Sequence, residues 1–186
     1  MIAKSGRPVQ LNLGCGRVHE PGPIWINVDA YANCNPDVVW DLNVTPYPWE
    51  DNSIDHIQIR HTLEHLENWW EAFLEMARIL KPDGTLRVHV PDESSATALS
   101  YRDHVKVFTI ASFHGIVGSS SGTNAWATTV EGSVPLKIEA YYQVPYKQYE
   151  WMTWACPWLL RFCAKHLRNF IWEQQIIFRK IGAKHG

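Results

Sequence analysis

Apolar and polar residues alternate in short bursts through the first half of the chain. Val9, Leu11 and Leu13 alternate with Gln10 and Asn12, which predicts a strand running directly into Gly14-Cys15-Gly16. Ile24, Ile26 and Val28 predict a second strand ending in Asp29, and Asp37–Trp40 a short third strand closed by Asp41. A fourth strand over Ile54–Ile59 leads into His61-Thr62-Leu63-Glu64-His65. The period then lengthens. Trp70, Phe73, Leu74, Ala77 and Leu80 form one stripe of a helix over Asn68–Leu80, and Lys81-Pro82-Asp83-Gly84 stops it and turns the chain. Thr85–Val90 predicts a fifth strand, ended by Pro91-Asp92, where Asp92 reads as a turn former.

The second half is patterned less regularly. A helix is expected over Thr109–Val117, followed by a Gly/Ser-rich loop, Gly118–Asn124, placed to act as a lid. Leu136–Val144 and Gln175–Lys180 alternate like strands. Between them Pro157–Trp172 predicts a helix with Leu160, Ala164, Leu167 and Ile171 on one side; Arg161, Lys165 and Arg168 on another either touch a lipid headgroup or phosphate or, as the usual and preferred reading has it, form a solvated face. Arg17–Pro23, with Pro21-Gly22-Pro23, cannot hold a full helix, so the link from the first strand to the second is unusually bare. No repeat and no linker divides the chain, which predicts one domain over residues 1–186: an α/β sheet with helices packed on it and an antiparallel edge.

Composition narrows the functional classes. A formal net charge of −2 argues against an extended nucleic-acid surface, which needs a clustered excess of Lys and Arg. No apolar run approaches the roughly 18 residues of a membrane span, and the first residues lack the apolar core of an export signal. Cys15, Cys34, Cys156 and Cys163 form no CxxC pair and read as reduced thiols, which points to a cytoplasmic protein. Ten Trp is an unusual number, and Trp126, Tyr141, Tyr142, Tyr146, Tyr149, Trp151 and Trp154 either line a surface for sugars or rings or serve as packing, which is the commoner use of aromatics.

In an open α/β sheet, ligands bind beyond the C-terminal ends of the strands where strand order reverses. Gly14-Cys15-Gly16, Asp29, Asp41-Leu42 and His61 all fall at such ends. An acid closing the second strand suits the two hydroxyls of a ribose; an acid closing the third can face an adenine amino group, with Leu42 on the ring. A nicotinamide fingerprint fits less well, because its third glycine would fall at His19.

Taken together, Leu11-Asn12-Leu13-Gly14-Cys15-Gly16, Val28-Asp29, Trp40-Asp41-Leu42, His61–Leu66 and Ile79–Val90 resemble a class I S-adenosylmethionine-dependent methyltransferase, of the small type-11-like kind. The resemblance covers Val9 to Asp92 strongly and the remainder loosely. It implies a Rossmann-like, mostly parallel seven-stranded sheet with an antiparallel last strand. It also implies S-adenosylmethionine as cofactor, held by Asn12, Leu13, Gly14, Cys15 and Gly16 at the methionine end, Asp29 at the ribose, and Asp41 and Leu42 at the adenine, with His61 alongside. Two departures stand out: Asn12 replaces the usual acid, and only 13 positions separate Gly16 from Asp29, where a dinucleotide fold uses roughly 20. The first helix is therefore expected to be shortened.

His61, Glu64 and His65 also spell H-x-x-E-H, the inverted zinc-protease pattern, but that pattern needs a helix and His61 closes a strand. A better match is the E-x-x-E-H turn with which some O-methyltransferases, including ubiquinone-pathway and small-RNA 2′-hydroxyl enzymes, hold a divalent ion. Glu64 and His65 match it, and His61 replaces the first Glu. The RNA enzymes add a D-H…F-T…F stretch, which Asp103-His104, Phe108-Thr109 and Phe113 resemble. By this resemblance His61, Glu64, His65 and His104 are candidate ligands for Zn, Mn or Fe, since imidazoles disfavour Mg; without metal, His61 or His104 is the candidate catalytic base. In the structural alternative Glu64 and His65 merely brace the following helix. Relatives with these motifs accompany polysaccharide enzymes, so the expected acceptor is a hydroxyl of a sugar, glycoconjugate or small molecule. The alternatives are a catalytically weak cofactor-binding partner subunit and an RNA 2′-O-methyltransferase.

Overall fold

A computed structural model describes residues 8–117 and 134–182 of the chain. The expected lid, Gly118–Asn124, and Trp126 lie outside the described residues. Seven strands form one sheet: β1 (Gln10–Leu13), β2 (Trp25–Asp29), β3 (Val38–Val39), β4 (Ile54–Arg60), β5 (Leu80–Pro91), β6 (Leu136–Pro145) and β7 (Ile171–Lys180). Their order is β3-β2-β1-β4-β5-β7-β6. The first five run parallel, and β7 is antiparallel to both β5 and β6. Strand order reverses between β1 and β4, so the C-terminal ends of β1, β2 and β4 open onto one crevice.

Each central strand has one apolar and one polar face. Leu11, Leu13, Ile57, Ile59, Leu86, Val88, Val90, Ile176 and Phe178 are fully buried and form one core with α1 (Trp69–Ile79) and α3 (Ile110–Ile116), through Phe73, Met76 and Phe113. The alternate positions are Asn12, His56, Gln58, Arg60, Thr85, Arg87, His89 and Arg179, and no hydrophobic cluster of the described residues lies on them. A parallel sheet covered by helices on both faces reads as continuous apolar runs; this alternation marks a sheet whose core lies on one side.

The missing first helix accounts for part of that polar face. No helix joins β1 to β2; residues 14–24 are loop and turn. Asn12 donates from Nδ2 to the Val18 carbonyl and to Asn27 Oδ1, both at 3.0 Å, and Asn27 Oδ1 also accepts from the Glu20 amide at 2.8 Å. Glu20 then reaches across the sheet to Gln58 and Arg60. Buried amides thus hold a loop where helix packing would otherwise be.

Two elements differ from expectation. Residues 81–84 do not separate α1 from a short strand: β5 starts at Leu80, and they form a bulge, with Ile54 opposite Leu80 but His56 opposite Thr85. Asp83 adopts φ 62° there, and Gly84 packs against backbone oxygens of Lys81 and Asp55. Lys180, buried at the end of β7, donates to the carbonyls of Arg78 and Leu80, satisfying the C-terminus of α1. The second difference is α5, which spans Pro157–His166 and stops short of Trp172. Leu167 is already extended at its C-terminus, Asn169 follows in the left-handed region, and Ile171 and Trp172 open β7. Short helices α2 (Ala96–Ser100) and α4 (Met152–Ala155) complete the set, and Met152, Leu160, Cys163 and Ile171 form a second, small cluster.

Candidate active site

The glycine turn after β1 is shaped by what it packs against. Gly14 sits at φ 66°, where a side chain would run into the hydroxyl and methyl of Thr62. Gly16, at φ 50°, has open space where a side chain would stand. Its amide donates to Asp29 Oδ2 at 2.7 Å, and the Tyr31 amide donates to Asp29 Oδ1 at 2.9 Å. Each carboxylate oxygen of Asp29 therefore has one backbone partner and a lone pair left for a ligand.

These groups wall a cleft of about 650 Å³, large enough for a nucleoside-sized ligand. Gly14, Gly16, Asp29, Asp41, Leu42 and His61 line it, together with Tyr31, Trp40, Asn43, Thr62, His65 and Asp103. Asp41 accepts from the Asn43 backbone and side chain, and Asn43 in turn ties to Asn68 at the start of α1. Leu42 is buried, with its carbonyl held by Tyr47. Asn12, Leu13 and Cys15 stand behind the cleft. Asn12 faces the loop described above, Leu13 is in the core, and the buried Cys15 thiol is pushed up to about 11 by desolvation and by Asp29. It remains a thiol at neutral pH.

A smaller cavity of about 280 Å³ adjoins the cleft, and His61, His65 and Asp103 line both. Glu64, Pro91, Thr97, Tyr101, His104 and Trp172 complete it. His61 carries φ 45° at the end of β4, an uncommon conformation for a residue with a side chain and one that costs about 1–3 kcal/mol. It is held there by its amide on the His89 carbonyl at 2.9 Å and by its ring. Nε2 lies 2.8 Å from Glu173 Oε2 and Nδ1 lies 3.5 Å from Glu64 Oε1. Burial alone favours the neutral imidazole, but the Glu173 hydrogen bond and the nearby Glu64 outweigh it and raise the pKa to about 9. Glu173 shifts the opposite way. Burial disfavours its charge, yet hydrogen bonds from His61, His89 and Gln175 hold it well below the usual carboxylate range. At neutral pH the pair is an imidazolium and a carboxylate, so His61 donates hydrogen bonds and has no lone pair to act as base.

Glu64 is the anomaly of the cavity. Its carboxyl group is 2 % exposed and neither oxygen has a hydrogen-bond partner, so the 3.5 Å ion pair with His61 leaves its hydrogen-bonding capacity unfilled. Its own backbone carbonyl accepts from Val105 and Lys106, which clamps the 103–106 segment over the turn. Glu64, His65 and His104 each offer one ligating atom, and those atoms lie within 4.8 Å of one another. Nδ1 of His65 lies 3.1 Å from the Asp103 carbonyl, and Nδ1 of His104 lies 3.3 Å from the Ala98 carbonyl. Nδ1 of both rings is thus anchored on a backbone carbonyl, with Asp103 Oδ2 also 3.2 Å from His65 Nδ1, the kind of contact by which metal-ligating histidines are oriented. His61 is drawn away from this group by Glu173.

Glu173, Trp172 and Tyr101 have no counterpart in the sequence motifs, and His89, although inside the Ile79–Val90 motif, was given no role there. Glu173 and Trp172 reach the site from β7, more than 100 positions after His61. The signal in the sequence was a single acid in the otherwise apolar opening of that strand.

Comparison with known proteins agrees with this fold. Residues 26–88 match the family described as "Methyltransferase domain". The fold is similar to a SAM-dependent methyltransferase from Archaeoglobus fulgidus, with 17 % identity and a TM-score of 0.60 over 94 % of this chain and 87 % of that one. It is similar to geranyl diphosphate C-methyltransferase from Streptomyces coelicolor, solved with Mg2+, geranyl diphosphate and S-adenosyl-L-homocysteine, with 9 % identity and a TM-score of 0.61 over 94 % and 71 % of the two chains. The [4+2]-cyclase SpnF shares the fold as well, with 15 % identity and a TM-score of 0.59 over 94 % and 76 %. No curated protein sequence matches the chain.

Proposed function

We propose that this chain, a methyltransferase of the class I S-adenosylmethionine-dependent fold, methylates a hydroxyl of a sugar, glycoconjugate or other small molecule bound in the cavity beside His61. Glu64 carries the reading: a buried carboxyl group whose oxygens accept no hydrogen bond, and whose contact with His61 is a 3.5 Å ion pair, lines the small cavity beside the nucleoside-sized cleft and can take a hydroxyl or a cation.

When bound, S-adenosylmethionine supplies an electrophilic methyl group on a sulfonium centre. In this reading Asp29 accepts the two ribose hydroxyls, and the Gly14–Gly16 turn lets the ligand approach the backbone. Asp41 faces the adenine edge and Leu42 its ring. His61, flanked by Glu64 and Glu173, leaves two carboxyl groups against one imidazolium, a balance that suits a cationic sulfonium. Glu64 and His65 orient the acceptor hydroxyl, and His104 Nε2 takes its proton as the oxygen accepts the methyl group.

A second reading is favoured by the spacing of Glu64, His65 and His104. These residues fit Zn, Mn or Fe, which would lower the pKa of an acceptor hydroxyl. In that case His104 is a ligand and no longer the base.

Release of S-adenosylhomocysteine, measured with a panel of hexosides, deoxyhexosides and simple alcohols, tests the reading. Glu64→Ala and His104→Ala are each expected to lower the rate by about 100-fold or more while leaving cofactor affinity within a few-fold. Full activity in a strong chelator supports His104 as base; loss restored by Mn or Zn supports the metal. Unchanged rates in both variants would overturn the assignment.

A further inference from the structure

Among the described residues, the segment around α4 and α5 leaves several of its largest side chains in water. Trp154 is 78 % exposed and Trp158 71 % exposed, and Trp151, Phe162 and Leu167 beside them are each about half exposed. A side chain of that size in water forgoes about 1.5–3 kcal/mol of burial, and monomeric proteins rarely gather several in one place. On α5 the division is clean. Leu160 and Cys163 point into the small cluster under the helix, while Trp158, Arg161, Phe162, Lys165 and His166 face outward. Trp158 and Phe162 are four residues apart, as are Arg161 and Lys165, so aromatic and cationic rows run side by side along one helix face.

The charge of the segment says what covers it. From Trp151 to Trp172 there is no Asp or Glu, and Arg161, Lys165 and Arg168 give this stretch a formal charge of +3 in a chain whose total is −2. An aromatic segment that carries three cations and no acid, with Glu150 just before it, complements an apolar phase with an anionic boundary. Trp prefers that boundary because its ring is apolar and its N–H remains solvated. No helix of the described residues is long and apolar enough to cross a membrane, so the contact is one of lying on the surface.

We propose that the exposed Trp151–Arg168 face docks on an anionic lipid bilayer, with Trp154, Trp158 and Phe162 in the headgroup layer and Arg161, Lys165 and Arg168 on lipid phosphates. The placement bears on the site. Trp172 lines the cavity beside His61 and also a hollow of about 630 Å³ with Glu150 and Thr153 at the start of α4. The segment that carries the docked face therefore begins beside a hollow that shares Trp172 with the His61 cavity. The proposal does not rest on the methyl-transfer reading, because docking is measured without cofactor or acceptor.

Flotation of the full chain with vesicles tests it, comparing pure phosphatidylcholine with phosphatidylcholine containing about one third phosphatidylglycerol. The chain is expected to float with the anionic vesicles at least about tenfold more than with the neutral ones, and to be released as salt rises from roughly 0.1 to 0.5 M. Trp154→Ala/Trp158→Ala and, separately, Arg161→Glu/Lys165→Glu should each reduce flotation about tenfold or more, with circular dichroism and S-adenosylmethionine affinity unchanged. Failure of the wild-type chain to float on anionic vesicles overturns the proposal, as does flotation that both variants retain. Concentration-dependent dimerisation abolished by Trp158→Ala, without flotation, would assign the face to a second copy of the chain instead. Loss of cofactor binding in calorimetry would defeat the methyltransferase reading and leave the flotation result standing.

Discussion

Asn12 shows how one side chain can be read two ways. Beside its relatives' usual acid it looks like the loss of a charge, yet its Nδ2 donates to two acceptors, the Val18 carbonyl and Asn27 Oδ1. An aspartate there would set carboxylate oxygens against both. Asn12→Asp is accordingly expected to lower stability by about 1–3 kcal/mol in denaturant unfolding, despite near-identical shape. His61 and Glu173 give a pH-dependent signature. The folded-state pKa of His61 is raised to about 9, so its stabilisation is complete below the unfolded value of 6.5 and is lost as pH rises through about 9. That of Glu173 is depressed, so its share is present above the unfolded value of 4.5 and is lost as pH falls through the folded value. For a His61 ring about one-third exposed, solvent screening reduces its share to roughly 1–2 kcal/mol. Thermal unfolding should show stability declining by that amount between pH 6.5 and 9.5, and His61→Gln should flatten the slope.

Elements were legible where their signal was local. The period-two alternation placed β1, β2, β4 and β7 and the period-3.6 stripe placed α1, because each pattern follows from a face buried within that element. The end of α5 was not local. Leu167 and Ile171 continue the helical stripe, but Ile171 pairs across the sheet with Pro145, and that pairing overrides the stripe. The bulge in β5 was hidden in the same way: Lys81-Pro82-Asp83-Gly84 has turn chemistry, and only strand pairing reveals that the chain stays in the sheet. Gly84 offers a test. A methyl group there would lie 2.9 Å from the Lys81 carbonyl oxygen and 3.1 Å from that of Asp55, both backbone. Gly84→Ala should therefore lower stability by about 1–3 kcal/mol, read as a shift in denaturant midpoint with unchanged slope.

At the scale of the whole molecule, the chain condenses a two-sided α/β architecture into a sheet with its core on one face and a braced loop in place of the first helix. The cleft at the strand reversal survives that reduction, because its walls are strand ends: Gly14 and Gly16 after β1, Asp29 on β2, Asp41 past β3 and His61 after β4. For that reason the walls of the cleft were legible in the sequence. The adjoining cavity was legible only in part: His61, Glu64, His65 and His104 stand in the sequence motifs, whereas Trp172 and Glu173 arrive from β7 through sheet pairing. The central claim is that the cleft holds S-adenosylmethionine through Asp29. Isothermal titration calorimetry with S-adenosylmethionine and S-adenosylhomocysteine tests it most directly. The account predicts one site for each ligand, with affinity reduced at least about tenfold in Asp29→Ala. No heat with either ligand, or equal affinity in the variant, would contradict it.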